Sequence, residues 1–176
     1  MIDYEESKEA EVSEDLEYEV DETPEADGVE EIEVKGPSLV EESLADLPER
    51  DLSPHFKLSE FHCHDGTPVP DNTVDGLIRL CVDVLEPMRA KFGVCTVNSG
   101  FRSKSRNESV GGAEKSYHRY DLRPGKAASD VNFKTGNSSD WVAEADRILG
   151  RAGGVGFYPR FVHVDNRDVK WRGTGG

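Results

Sequence analysis

Between positions 74 and 88 apolar residues recur at three- and four-residue steps: Val74, Leu77, Ile78, Cys81, Val82, Leu85 and Met88, with Asp75, Arg79, Asp83 and Arg89 among them. That spacing predicts one amphipathic helix of about four to five turns. Asp71 or Thr73 is placed to cap its start, and Pro87 to end or kink it. After Lys91-Phe92-Gly93 the pattern changes to a short β-type run over 94–97. A second strand is predicted over 128–133. A second helix is expected from a cap at Ser138 or Ser139 through Trp141, Val142, Ala145, Ile148 and Leu149, stopped by Gly150. Gly153-Gly154-Val155-Gly156 then turns into strands over 155–158 and 161–164. Upstream, the stretch 52–65, followed by Asp65-Gly66, Pro68 and Pro70, reads as turns. The pattern predicts an α+β fold: a small antiparallel sheet packed with two to three helices.

Charge divides the chain in two. Residues 1–51 hold 21 acidic residues against Lys8, Lys35 and Arg50, a net of -18, whereas residues 52–176 are mildly basic at +3. The first segment has no Phe or Trp and carries blocks such as Glu14-Asp15-Leu16-Glu17. It is expected to be a disordered tail, because so little apolar surface does not offset the entropy of ordering. Its expected use is as an interaction tail, a guard over a basic groove or a solubilising extension. The domain is expected over 52–176. Cys63, Cys81 and Cys95 are odd in number with no CxxC pair, so no disulfide framework is implied. No signal peptide or membrane span is expected, nor a nucleic-acid interface, since the body is only slightly basic and lacks a basic-aromatic motif.

The candidate chemistry lies in 99–131 and in the run Phe161-Val162-His163-Val164-Asp165. Strand alternation sends Val162 and Val164 to the core and leaves Phe161, His163 and Asp165 lining a cleft. His118 and Asp130, each among small residues and turn signals, complete a His/Asp/His set. Catalytic zinc takes three such ligands and keeps a fourth position open, so the set points to a metal-dependent hydrolase. In His62-Cys63-His64-Asp65, neighbouring residues on an extended segment face opposite ways. That cluster is therefore read without a second metal, and Cys63 as core.

Ser99-Gly100-Phe101-Arg102-Ser103, Asn107, Val110-Gly111-Gly112-Ala113, Ser116-x-His118, Gly125-Lys126-Ala127, Asp130-Val131 and the 161–165 run, taken in order, resemble the zinc D-alanyl-D-alanine peptidases of the M15 type, a group of bacterial carboxypeptidases and phage endolysins. The resemblance spans about residues 54–172 and extends to Trp171, otherwise read like Trp141 as a packing residue. It implies a cleft around one Zn2+ held by His118, Asp130 and His163, with Arg102 polarising or anchoring substrate and Ser116 contacting it. The implied activity is hydrolysis of the peptidoglycan stem peptide at or near D-alanine, by a carboxypeptidase or an endopeptidase made in the cytoplasm and acting on the wall after release or within a virion. Arg119, Arg123 and Lys126 are candidates to favour an anionic substrate. Two positions depart from the family pattern. The twelve residues from His118 to Asp130 exceed the usual spacing, through an insertion at 119–124 that offers Asp121 as a rival ligand or base. Arg160 stands three before His163, where many relatives carry an acid, leaving Asp165 as either the proton shuttle or an orienting partner of a ligand. The alternative function is a non-catalytic wall-binding or virion module that keeps the fold.

Overall fold

The computed structural model describes residues 49–174. The expected tail lies outside the described residues except for its last three positions, and these already belong to the body. Glu49 pairs with Lys57 at 2.9 Å, Arg50 accepts a backbone hydrogen bond from Leu58, and Asp51 opens the first strand. Strands β1 (Asp51–Ser53) and β2 (Phe56–Lys57) form a small antiparallel hairpin, followed by a 3-10 turn at Leu58–Phe61. The expected turn-rich entry thus contains a short two-stranded sheet. Its apolar positions Leu52, Phe56 and Phe61 are buried.

The predicted first helix runs past Pro87. A 3-10 turn (Asp71–Thr73) leads into α1 (Val74–Leu80), a π-helical turn (Cys81–Leu85) and α2 (Glu86–Phe92). Proline breaks a helix because it lacks an N–H and its ring meets the carbonyl four residues back. The π-turn widens the backbone just before Pro87, with Glu86 N donating to Cys81 O, and it seats the proline in the first turn of α2, where no donor is needed. Leu77, Leu80, Cys81, Val84, Leu85 and Met88 still form one buried stripe. Asp71 and Thr73 lie in the 3-10 turn, and neither side chain caps α1.

Five strands make the main sheet: β3 (Cys95–Ser99), β4 (Ala128–Phe133), β5 (Gly154–Tyr158), β6 (Phe161–Asp165) and β7 (Trp171–Thr174), in the order β3-β4-β6-β5-β7. The first four pair antiparallel, but β7 pairs parallel with β5, so the sheet is mixed. Between β3 and β4 lies α3 (Lys104–Ser109), a short helix capped by Ser103 Oγ. Helix α4 (Ser138–Leu149) falls where the pattern predicts it, yet Asn137 rather than a serine caps it: its side chain accepts from Ser139 N and Asp140 N while Asp140 accepts from Asn137 N. Gly150 ends it at φ +57°, in the left-handed region. Trp141 and Ala145 of α4 pack with Val131, Val155, Val162 and Val164 of the sheet and with the α1–α2 stripe in one core. No described helix is long and apolar enough to cross a membrane.

Candidate metal centre

The sheet register sets the site. Asp130 on β4 stands directly opposite His163 on β6, and β5 sets Gly156 opposite His163 and Gly154 opposite Asp165. A Cβ at Gly154 would collide with Asp165 Oδ2, and one at Gly156 would crowd His163 Cβ at 3.1 Å. These two glycines leave the room that the imidazole and the carboxylate occupy. Val162 and Val164 point into the core, as alternation predicts.

His118 arrives from the loop before β4. Its backbone carbonyl accepts from Arg102 N, and its ring Nδ1 lies 2.7 Å from Gly100 O. A carbonyl only accepts, so Nδ1 carries the proton and Nε2 presents a lone pair. That Nε2 lies 3.1 Å from Asp130 Oδ1 and 3.2 Å from His163 Nδ1, and His163 Nδ1 lies 2.9 Å from Asp130 Oδ1. The other nitrogen of His163, Nε2, meets Asp165 Oδ2 at 3.1 Å. All three residues are buried, and among the described residues they form the one set of three or more such side chains able to hold an ion. A tetrahedral zinc with bonds of about 2.0–2.1 Å needs donor spacings of about 3.3 Å. The observed triangle is slightly tighter. Each imidazole is also held from behind by an oxygen, as metal-binding histidines usually are. The residues fit a zinc ion.

The electrostatics of the metal-free site differ from donor to donor. Burial pulls the His118 pKa down, against the pull of Asp130, and keeps the ring neutral. Burial also opposes charge on His163, but hydrogen bonds to Asp130 and Asp165 push its pKa up to about 9. Despite their own burial, Asp130 and Asp165 are held well below the usual carboxylate range by the surrounding imidazoles, with Arg167 adding to the effect at Asp165.

The other candidates named from the sequence fall in different places. Arg102 donates from Nη2 to Asp130 Oδ2 at 2.5 Å and from Nε to Ser99 Oγ at 2.9 Å; it lines the cleft and holds the carboxylate oxygen that faces away from the histidines. Ser116 lines the same cleft, its Oγ accepting from His118 N. Asp165 does not reach the cleft. It is fully buried behind His163, with Arg167 bonded to both of its oxygens. Asp121 stands apart as well, paired through both oxygens with Arg119. The insertion that carries it is anchored by Tyr120, a fully buried ring whose hydroxyl donates to Ala128 O at 2.5 Å. Arg160 sits exposed in the β5–β6 turn.

The cleft has a volume of about 680 Å³, within the usual range for ligand sites. Arg102, Arg106, Lys115 and Arg167 supply its cationic lining, and Asp130 is the one acid on its walls among the described residues. Arg119, Arg123 and Lys126 are not on those walls. Arg119 is paired, Arg123 lies over the Tyr117 ring, and Lys126 meets Asp168 at 2.5 Å. Tyr158 and Phe161, stacked at 4.3 Å, and Trp171 give the cleft an aromatic side. Trp171 is therefore a partly exposed wall residue, unlike Trp141, which is buried in the core. The 62–65 cluster splits up: Cys63 is core, His62 Nδ1 accepts from Val69 N, His64 reaches the cleft, and Asp65 is held by Ser103 and Thr67.

A family model described as Peptidase M15 matches residues 54–165, more than half of the chain. The chain belongs to the peptidase M15 family. No curated protein and no solved structure matches it.

Proposed function

We propose that this member of the peptidase M15 family is a zinc-dependent peptidase that hydrolyses the peptidoglycan stem peptide at or near D-alanine. The observation that carries the reading is the triangle of His118 Nε2, Asp130 Oδ1 and His163 Nδ1, with donor spacings of 2.9–3.2 Å and an oxygen behind each imidazole. Zinc bound there would supply a Lewis acid for the scissile carbonyl and bring the pKa of water toward neutrality. Arg102 fixes the free oxygen of Asp130, and its Nη1, with no bond to the protein among the described residues, takes a carboxylate or carbonyl oxygen of the substrate. Ser116 lines the cleft with a hydroxyl that accepts from His118 N, and Tyr158, Phe161 and Trp171 give the substrate an aromatic wall. Asp165 acts as the carboxylate that orients His163, a role supported by its burial and its 3.1 Å contact to Nε2. The place of action is the cell wall, in the manner of a lytic or remodelling enzyme.

The test is a digest of purified peptidoglycan by the full chain, with and without chelator, read by mass spectrometry. Products ending at a D-alanine bond, lost with chelator and with His163→Ala, are the expected result. They also tell a carboxypeptidase, which releases only the terminal residue, from an endopeptidase. A second reading, a wall-binding module that keeps the metal without cleavage, is favoured by one observation: apart from Asp130, no acid lines the cleft among the described residues, and the position three before His163 is the exposed Arg160. Zinc uptake and wall binding without any new peptide end would select it.

A further inference from the structure

Behind His163, the carboxylate of Asp165 is held in turn by Arg167, a residue that also lines the cleft. Arg167 sits two residues past Asp165 and closes on it from three donors: its backbone N and its Nε reach Oδ1 at 3.1 and 2.7 Å, and its Nη2 reaches Oδ2 at 2.5 Å. Oδ2 is the same oxygen that meets His163 Nε2. The carboxylate of Asp165 is fully buried, so it needs charge-matched donors to remain an anion. The planar fork of Arg167 provides them and fixes both oxygens in one plane.

Arg167 is itself held. Its guanidinium carbon lies 4.1 Å from the centre of the Tyr117 ring and 4.7 Å from that of Trp171, and Arg123 covers the Tyr117 ring at 4.4 Å. Guanidinium groups stack on aromatic faces in a way that an ammonium does not reproduce. Tyr117 immediately precedes His118, and Trp171 meets His163 edge-on at 5.9 Å. The stack thus connects the loop bearing the first histidine, the strand bearing the second, and the last strand of the sheet.

We infer that Arg167, clamped between Tyr117 and Trp171, is a positioning residue for the metal centre: through Asp165 it sets the orientation in which His163 offers Nδ1 toward His118 and Asp130. The inference rests on the zinc reading of that triad. Arg167 makes no hydrogen bond to His118, Asp130 or His163 among the described residues, and its effect passes through one carboxylate and one imidazole. A lysine at 167 keeps the charge yet loses both the fork and the stack. Removing an orienting partner of a metal-bound histidine typically costs about 10–100-fold in metal affinity, and the same range is expected here.

The test measures zinc affinity of the full chain by competition with a chromophoric chelator, together with the visible absorption spectrum of the cobalt-loaded protein. Arg167→Lys is expected to weaken zinc binding about 10–100-fold and to shift the cobalt bands, while its circular dichroism stays that of the wild type. Tyr117→Leu should weaken binding less, and Tyr117→Phe, which keeps the ring face, should restore wild-type affinity and spectrum. This pair keeps the test decisive should Arg167→Lys misfold. Wild-type affinity and an unchanged cobalt spectrum in both Arg167→Lys and Tyr117→Leu would overturn the inference while leaving the zinc reading standing. A wild-type chain that takes up no zinc, or a His118→Ala variant that binds as tightly as wild type, removes the zinc reading and the inference with it.

Discussion

Asp165 and its neighbour Gly154 show how closely the site depends on single atoms. Gly154 faces Asp165 across the β5–β6 ladder, and a methyl group there would collide with the carboxylate. Neither backbone can retreat without breaking ladder hydrogen bonds, so the carboxylate has to move. Gly154→Ala is expected to destabilise the fold by about 1–3 kcal/mol, the usual cost of overpacking, seen as a lower urea midpoint, and to weaken zinc binding in parallel. Asp165→Asn separates the two roles that the sequence leaves open for this residue. An orienting carboxylate, replaced by an amide, should cost about 10–100-fold in zinc affinity, and activity should return when zinc is raised. Loss of a proton shuttle would leave the affinity intact and would not respond to added metal. Steady-state rates of Asp165→Asn across a zinc series decide between them, and recovery is the expected outcome.

The elements carrying the site are legible in the sequence to different degrees, for reasons that can be named. Strand β6 declares itself through the alternation of its residue types: two valines enter the core, and His163 and Asp165 lie on the other face, though all four are buried. Helix α4 carries its own start and stop signals within a few residues of where they act. Strand β7 is not legible, since Trp171-Arg172-Gly173-Thr174 has no apolar alternation and depends on parallel pairing with β5. Helix α3 is six polar residues long, too short to show a period. Passage through Pro87 requires a π-turn that no spacing rule announces. Arg167 carries no signal of its own, because its meaning comes from Tyr117 in a distant loop and from Trp171 on another strand. The insertion at 119–124 shows in the sequence only as added length and a rival acid, whereas in the fold Tyr120 enters the core against Phe101, with ring centres 5.5 Å apart. Tyr120→Ala is therefore expected to cost about 3–5 kcal/mol, as for other large aromatic truncations, and to loosen the approach of His118. Tyr120→Phe should cost only about 0.5–1.5 kcal/mol, for the hydrogen bond to Ala128. Chemical denaturation of the two variants checks the split. Equal losses would mean that the hydroxyl, not the ring, anchors the loop.

On the scale of the whole molecule the site couples folding, metal and pH. In the metal-free protein the folded pKa of His163 is about 9, above the value of about 6.5 expected when unfolded. A group raised on folding contributes stability that is fully present below its unfolded pKa and is lost as pH rises through its folded pKa. The metal-free chain should accordingly lose this contribution between about pH 6.5 and 9. Zinc requires the same nitrogen without its proton. His118 is already kept neutral by burial and Asp130 is already ionised, so His163 alone has to give up a proton when the ion enters. Zinc affinity should thus rise about tenfold per pH unit between about pH 7 and 9 and flatten above that, with about one proton released per ion near pH 7. The stabilisation by saturating zinc, read as the difference in melting temperature between loaded and metal-free protein, should widen over the same interval, because ligand binding stabilises in proportion to the logarithm of its affinity. Calorimetric titration of zinc in two buffers of different ionisation enthalpy counts the proton directly. A count near zero at about pH 7, or an affinity flat from about pH 7 to 9, would mean that His163 enters the site already neutral and that Asp130 and Asp165 do not hold its proton.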